Sequence, residues 1–174
     1  MAEAALEPRK APALSRPEIG RLLAFLLPLG LLGGAMGSQY LGGLHPCEMC
    51  YWQRWPHAAA ILLAGLAFTA PAASSRSRLL TLLAAVAIAV SGAIGVYHAG
   101  VELGVFEGFT TCTSTARGAT TEELLKQIMK VPLVRCDEVQ WAFLGISMAG
   151  WNAILSLGGS AAIAWLTLGQ RRAA

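Results

Sequence analysis

Charged side chains are scarce in this sequence and account for only 13% of its 174 residues. A soluble domain of comparable size carries about 25% charged residues. The few charges lie between long uncharged runs, and the mean hydropathy is +0.55. This scarcity excludes an ordinary soluble globule. It predicts instead an all-α membrane protein that forms one domain over residues 1–174.

A concentration of positive charge is also missing. The formal net charge is only +3 at pH 7, and no basic patch alternates with aromatic side chains. Proteins that bind nucleic acid present such a patch to the phosphate backbone. We therefore expect no nucleic-acid partner, and we expect membrane lipid around the chain.

The sequence has four cysteines but only one close pair, Cys47 and Cys50, because Cys112 and Cys136 are far apart. A zinc site made of four cysteines usually takes its ligands from two close pairs. A haem-attachment site requires a histidine directly after a Cys-x-x-Cys motif, and that position holds Tyr51. The spacing therefore predicts no metal site.

Four apolar segments are long enough to cross a bilayer, because a helix of about 20 residues spans the hydrocarbon core. They cover about residues 22–41, 55–73, 79–101 and 145–168. A cleaved signal peptide is the alternative for the first segment, where residues 35–37 resemble a small-x-small cleavage site. The apolar run continues past that site, so we predict a four-transmembrane-helix bundle. Four glycines of the first segment have the spacing that lets another helix approach closely, although glycine is common in membrane helices in general: Gly30, Gly33, Gly34 and Gly37.

The distribution of Lys and Arg predicts how the helices are oriented, since these residues favour the cytoplasmic side. The N-terminal tail (residues 1–20) with Arg21, the turn at residues 74–78 and the C-terminal pair at residues 171–172 carry eight basic residues. The other two connections carry five basic and seven acidic residues. Both termini are therefore expected in the cytoplasm. All four cysteines are expected on the opposite, oxidising side, where disulfides form and persist.

The outer connection over residues 102–140 is too long for a simple turn, and loops of this length usually carry a function. Thr120 and Glu123 have the spacing of a capping box, which predicts the start of a helix. Four apolar side chains then share one face before Pro132 ends the pattern: Leu124, Leu125, Ile128 and Met129. We predict a short amphipathic helix that lies on the membrane surface. The alternative is a helix packed on the top of the bundle.

Cys47 and Cys50 lie just before the second apolar segment. Closely spaced cysteines exchange a disulfide for two thiols with little movement, and the thiolate is the reactive form. If a helix begins here, Cys50 lies at its amino end, where free N–H groups favour an anion, and Arg54 lies one turn further on the same face. The alternative is two inert disulfides that brace the outer loops. A bridge between Cys47 and Cys50 would close too small a loop to brace much, which favours a redox role.

Arg54 and His98 are candidate binding residues for a lipid-soluble electron acceptor. Arg54 offers a positive charge and hydrogen-bond donors to a carbonyl oxygen, and His98 offers a hydrogen bond or a proton. The alternatives are that Arg54 extends to lipid headgroups and that His98 sits in the membrane interface beside Tyr97. An acceptor is needed because every disulfide that is passed outward leaves a dithiol behind.

These features together resemble the DsbB family of bacterial inner-membrane thiol oxidoreductases, over the whole chain. The matching parts are residues 46–50 with Arg54, the pair Tyr97 and His98, the lone Cys112, residues 135–138 with Trp141, and residues 143–145. A Cys-x-x-Cys motif alone is a weak signal. Its place before the second span, with two later cysteines before the fourth, is specific. The similarity to vitamin K epoxide reductases is weaker, because the order of the cysteine pairs differs.

The resemblance implies an enzyme that reoxidises a periplasmic, DsbA-like thioredoxin-fold protein and passes the electrons to membrane quinone. It implies that Cys112 forms the mixed disulfide with this partner and that Cys136 resolves it. Electrons then pass to Cys47 and Cys50, with Cys50 facing the quinone. Arg54 and His98 match residues near the quinone ring, and we expect ubiquinone rather than menaquinone. The alternative function is a non-catalytic membrane scaffold whose disulfides brace its outer loops.

Overall fold

The computed structural model describes residues 14–108, 120–122 and 134–169. Four long helices make up most of this part of the chain: α1 (Arg16–Tyr40), α2 (Glu48–Ala67), α3 (Ser75–Glu102) and α4 (Met148–Leu168). A two-stranded antiparallel hairpin, β1 (Ala142–Phe143) and β2 (Ile146–Ser147), directly precedes α4. The predicted all-α class is therefore confirmed, with the hairpin as a small addition.

The start of each helix is set by the residue that precedes it. These N-cap residues are Ser15, Cys47, Ser74 and Ser147. Their short polar side chains can satisfy backbone N–H groups that have no partner inside the helix. In α2 the capping atom is a sulfur, since Cys47 Sγ accepts a hydrogen bond from the backbone N–H of Cys50 over 3.3 Å. A candidate redox residue thus fixes the start of the second helix.

The bounds of α2 differ from those of the apolar segment predicted at residues 55–73. The helix begins at Glu48, because Cys47 caps it, and it ends at Ala67, ahead of Pro71. A span is the apolar part of a chain, whereas a helix also includes polar turns at its ends. The predicted span limits therefore stay predictions.

Within the described chain, three helices are long and apolar enough to cross a membrane: α1, α3 and α4. The second helix is not among them, and its first half carries Gln53, Arg54 and His57, which lower its hydropathy. It packs against both α1 and α3. These polar side chains therefore lie among the helices. Polar groups within a membrane bundle cost free energy, so their presence indicates a functional region.

Small side chains allow the helices to pack closely. The α3 helix packs against α2 and α4, and α1 packs against the same two helices. The buried core is rich in alanine and consists of Ala24, Ala60, Ala64, Ala84, Ala85, Ile88 and Ile163. Small residues at helix contacts are typical of membrane bundles, where association depends on close packing.

The close helix approach expected at the glycines of the first span occurs elsewhere. No atom of the rest of the described bundle lies within 4 Å of a Cβ built at Gly30, Gly33, Gly34 or Gly37. A Cβ at Gly95 of α3, by contrast, would lie 3.0 Å from the backbone oxygen of Ala149 and 3.1 Å from Asn152 Nδ2. Among the described residues, the expectation for α1 is therefore wrong, and glycine serves the contact between α3 and α4 instead.

The chain order gathers both outer connections at one end of the bundle, called the cysteine end below. The α1 and α3 helices end there, and α2 and α4 begin there. The hairpin also lies there, and Leu144 (φ +53°) and Gly145 (φ +76°) form its turn. Two successive positive φ angles are typical of a type I′ hairpin turn. The predicted outer-loop helix falls mostly outside the described residues, as does Cys112.

Candidate functional site

Two sulfur atoms lie in contact at the start of α2. The Sγ atoms of Cys47 and Cys50 are 2.9 Å apart, and both residues are free cysteines in this structure. Cys47 is buried and packs with Met49 and Val101, whereas Cys50 is half-buried. The short separation means that a disulfide between them can form and open with little backbone movement.

The surroundings of the two thiols differ. Its hydrogen bond with Cys50, together with burial, raises the pKa of the Cys47 thiol far above its usual range. Cys50 lies in the first turn of α2, where free N–H groups favour an anion, and the positive charge of Arg54 acts on it. A thiolate formed within this pair is therefore expected on Cys50, with the proton retained on Cys47.

A third sulfur from the second outer connection joins this pair. Cys136 is 1% exposed, is a free cysteine and packs in the same buried cluster as Cys47. The Cys47 sulfur, the Cys136 sulfur and a ring nitrogen of His98 all lie within 4.8 Å of one another. Cys47 thus touches Cys50 on α2 and approaches Cys136 in the loop. Thiol–disulfide exchange requires this kind of arrangement, in which one sulfur can bond to either of two neighbours.

The same atoms include donors that metal ions accept. Two thiols and an imidazole are ligands that suit zinc or another soft cation when the thiols are deprotonated. The sequence spacing did not reveal this cluster, because Cys136 reaches the pair only through the fold. The prediction of no metal stays a prediction, and the cluster equally suits disulfide exchange.

His98 lies inside the bundle and is 3% exposed. Its Nε2 is 3.6 Å from Cys47 Sγ and 3.8 Å from Glu102 Oε1, and its Nδ1 is 2.9 Å from Gln53 Nε2. The side chain therefore points into the bundle rather than toward lipid. His98 instead links the sulfur cluster to polar groups deeper in the helices.

Arg54 contacts α1 across the bundle. Its guanidinium donates to Gln39 Oε1 over 2.5 Å and to the backbone oxygen of Ala35 over 3.2 Å. It also lies over the ring of Tyr51, 5.1 Å from the ring centre. Its Nε is buried and has no hydrogen-bond partner among the described residues. These contacts hold the charge in a fixed place, so the side chain is not simply extended toward headgroups.

A cavity of about 620 Å³ connects these groups. Its walls are mostly apolar and come from all four helices and the outer connections. The functional side chains that line it are Cys47, Cys50, Arg54, His57, His98 and Glu102. Mostly apolar walls with a few polar groups are typical of a small-molecule site, and the volume lies in the range such sites have.

A model of the family described as disulfide bond formation protein DsbB matches residues 17–166 of this chain. The chain belongs to the DsbB family. Among its relatives, the disulfide bond formation protein B of Hahella chejuensis is 32% identical over 154 residues, which cover 83% of this chain and 90% of that protein. The protein of the same name from Marinobacter nauticus is 31% identical over 140 residues, which cover 76% of this chain and 80% of that protein.

An uncharacterized protein of Rickettsia prowazekii is also similar, with 23% identity over 82% of this chain and 83% of that protein. No solved structure gives a significant match. Membership of the DsbB family makes this a multi-pass membrane protein of disulfide bond formation, with the four-helix membrane fold of that family. The α2 helix, although the least apolar, therefore completes the bundle.

In this DsbB-family chain, five of the six predicted site residues lie together at the cysteine end. Cys47, Cys50, Arg54 and His98 line the cavity, and Cys136 packs beside Cys47 and His98. The sixth, Cys112, lies outside the described residues. The roles that the family resemblance implies for these six residues stay predictions.

A second group of polar side chains, which lie deeper in the same bundle, was not predicted from the sequence. Gln53, His57, Ser91, Asn152 and Ser156 form one hydrogen-bonded network between α2, α3 and α4. Three of them, Gln53, His57 and Asn152, line the cavity. The spacing of Gln53 and His57, one turn apart within a membrane helix, was a signal that could have identified this face.

Proposed function

We propose that this DsbB-family chain reoxidises a periplasmic, DsbA-like thioredoxin-fold protein and passes the electrons to membrane quinone, with ubiquinone expected. The observation that carries the proposal is a close pair of free thiols, Cys47 and Cys50, that lines one mostly apolar cavity while a third free thiol, Cys136, packs beside Cys47. A scaffold braced by disulfides needs neither the cavity nor a third sulfur beside a close pair. Family membership supports quinone use and a DsbA-like partner in general terms.

The residues around the cavity fit a quinone. A quinone ring is flat and apolar and carries oxygen atoms at its edge, and it supplies a sink for two electrons and two protons. Arg54 lines the cavity and retains an unpartnered Nε donor within the described chain, so it can bind a carbonyl oxygen. Cys50 lines the same cavity at the start of α2, which puts the expected thiolate at its wall.

The protein's own steps are thiol–disulfide exchanges. The partner's dithiol reduces a disulfide of the outer loop, for which the family resemblance supplies Cys112 and Cys136. Cys136 then attacks Cys47 within the Cys47–Cys50 disulfide: a bond between Cys136 and Cys47 forms, and Cys50 leaves as a thiolate. The expected retention of negative charge on Cys50 favours this direction of cleavage. Cys112 next attacks Cys136, which restores the outer-loop disulfide and releases Cys47 as a thiol. In the complete cycle the partner loses two electrons and two protons, and quinone receives them.

The distribution of Lys and Arg supports a location in the bacterial inner membrane, with both termini cytoplasmic and the cysteine end periplasmic. Thiol exchange with a secreted partner needs this orientation, because disulfides persist in the periplasm and are reduced in the cytoplasm.

The test is anaerobic consumption of a short-chain ubiquinone by the purified protein, with a reduced DsbA-like protein as electron donor. We expect Cys50→Ala to abolish consumption, because the sulfur that faces the cavity is missing. Trp55→Phe is the matched control, since Trp55 lies on α2 but is 74% exposed and does not line the cavity. Consumption by Cys50→Ala at the parental rate would refute the relay, and a parent protein that consumes no quinone would favour the scaffold.

A further inference from the structure

Asn152 of α4 is the centre of the buried network that the redox steps do not use. Its Nδ2 lies 2.7 Å from Gln53 Oε1 and 3.2 Å from the backbone oxygen of Ser91. Its Oδ1 lies 2.9 Å from His57 Nε2 and 2.9 Å from Ser156 Oγ. Ser91 Oγ adds a contact of 3.0 Å to the same His57 nitrogen. The network therefore joins three helices around one ring nitrogen of His57.

Backbone oxygens fix the direction of these hydrogen bonds, because they can only accept. Gln53 Nε2 lies 3.1 Å from the backbone oxygen of Met49, so it is the donor end of that amide and Gln53 Oε1 faces Asn152. Asn152 must then present its NH₂ group to Gln53 and to the backbone oxygen of Ser91. Its Oδ1 is left as an acceptor toward His57. Ser91 uses its single hydroxyl hydrogen on the backbone oxygen of Gln53, 2.9 Å away, so it also accepts from His57.

Both partners of His57 Nε2 are therefore acceptors, and Nε2 carries the hydrogen. In the uncharged ring the other nitrogen, Nδ1, then has a free lone pair and no hydrogen. Nδ1 is buried and has no hydrogen-bond partner among the described residues, and His57 as a whole is 3% exposed. A buried polar atom normally has a hydrogen-bond partner, so the unpaired Nδ1 of His57 needs an explanation.

His98 provides the contrast. Gln53 Nε2 donates to His98 Nδ1 over 2.9 Å, so His98 carries its hydrogen on Nε2, toward Cys47 Sγ and Glu102. Both nitrogens of His98 are thus engaged by the protein. The same network leaves one nitrogen of His57 without a protein partner, on a residue that lines the cavity.

We propose that His57 is a further ligand-binding residue of the cavity, whose Nδ1 accepts a hydrogen bond from a hydroxyl group of the reduced ring, the quinol. This inference rests on the proposed function, since it assigns a residue to the same site. A quinone carries only acceptor oxygens, which suit the donors of Arg54. A quinol carries hydroxyl donors, which suit the free lone pair of His57. His57 therefore favours the product over the oxidised ring, and a group that binds the product more tightly draws the two-electron reduction forward.

The test measures binding rather than turnover, in a Cys50→Ala background that removes the thiolate facing the ring. Short-chain ubiquinol and the matching ubiquinone are titrated separately under anaerobic conditions. The signal is tryptophan fluorescence, because Trp141 and Trp151 both line the cavity. We expect His57→Gln to weaken ubiquinol binding about five- to tenfold, the worth of one hydrogen bond, and to change ubiquinone binding less than twofold.

A pair of variants separates ligand binding from a purely structural role. The amide of His57→Gln reaches the position of Nε2 and keeps donors toward Asn152 and Ser91, but leaves no acceptor at Nδ1. The shorter amide of His57→Asn keeps an acceptor near Nδ1 and loses the contacts with Asn152 and Ser91. We expect His57→Asn to bind ubiquinol more tightly than His57→Gln. A structural role predicts the reverse order, and that order would overturn the inference.

A second measurement reports the protonation of the His57 ring directly. In protein labelled with ¹⁵N-histidine, we expect the Nδ1 resonance of His57 to be that of an unprotonated nitrogen and to shift when ubiquinol is added. A hydrogen on Nδ1 in the ligand-free protein, or equal ubiquinol affinity in His57→Gln and its parent, contradicts the role of His57 alone. A parent that binds neither ring form contradicts the proposed function as well.

Discussion

Arg54 of α2 is held in place by contacts with α1. Its contacts with Gln39 and the backbone of Ala35 come from the last turns of α1, whereas its own backbone belongs to α2. An arginine fixed by two acceptors still has donors left, and its Nε has no partner among the described residues. We propose that these contacts preorganise the cation for an acceptor in the cavity, with Gln39 acting on that acceptor only through Arg54.

The first residue-scale prediction follows from this geometry. Arg54→Ala should raise the KM for ubiquinone roughly ten- to a hundredfold, because a hydrogen bond from a charged donor is lost, and should change kcat less. Gln39→Leu should shift KM in the same direction by a smaller factor, since it releases the guanidinium without removing it. Steady-state kinetics with varied quinone measure both effects.

Arg21 is the matched control for this prediction. Arg21 belongs to α1 and, like Arg54, lies near one end of a helix bundle. It donates, however, to the backbone oxygens of Ala67 and Ala70 at the end opposite the cysteines. Arg21→Ala should leave the KM for quinone unchanged. An equal rise of KM in Arg21→Ala and Arg54→Ala would mean that Arg54 is only an anchor.

Site residues could be predicted from the sequence where they lie close together along the chain. Cys50 and Arg54 lie one helical turn apart, so their common location followed from spacing once the start of α2 was recognised. The approach of Cys136 to Cys47 depends on how an outer loop folds back, which spacing does not encode. Asn152 was missed because a single polar residue in an apolar run has no periodic pattern, and only the free-energy cost of a polar group within a membrane marks it. For His57 the one-turn spacing from Gln53 was a signal, but spacing does not show which residues of other helices it contacts.

At the scale of elements, the contact between α3 and α4 positions much of the polar network. Gly95 of α3 lets the two helices approach until a Cβ would lie 3.0 Å from the backbone of Ala149 and 3.1 Å from Asn152. Those neighbours include backbone atoms, which cannot move without shifting α4. The orientation of Asn152, and with it the hydrogen on His57, therefore depends on a glycine that does not itself line the cavity.

Gly95→Val should lower the free energy of unfolding by about 1–3 kcal/mol, because the added methyl groups force α3 and α4 apart. Gly33→Val is the matched control, since the described bundle leaves open space there. It should change stability by less than about 0.5 kcal/mol. Thermal unfolding in the same detergent measures both variants. Equal destabilisation at the two positions would show that the cost comes from valine in a helix rather than from helix packing.

The elements themselves followed from hydropathy and capping. Long apolar runs predicted the number and order of the helices, because crossing a bilayer requires them. Their ends were less predictable, since a cap such as Cys47 extends α2 beyond its apolar part. The hairpin before α4 was not predicted, because strands of two residues are too short for any alternating pattern.

At the scale of the whole molecule, the two ends of the bundle differ in chemistry. The cysteine end holds Cys47, Cys50 and Cys136. The opposite end holds the starts of α1 and α3, with Arg16, Arg21, Arg76 and Arg78. This separation matches the orientation that the Lys and Arg distribution predicts. It would let a thioredoxin-like partner reach the sulfurs from outside while a membrane carrier reaches them from within the bundle.

The central claim is that electrons leave the protein from the Cys47–Cys50 pair into a quinone held in the cavity. The most direct measurement is a single turnover: fully reduced protein, freed of reductant, receives one equivalent of ubiquinone without oxygen. Quinone absorbance and mass-spectrometric mapping of alkylated cysteines are followed together. We expect the quinone absorbance to fall in proportion to the formation of a disulfide between Cys47 and Cys50. Loss of quinone while both cysteines remain open to alkylation, or no loss at all, would contradict it.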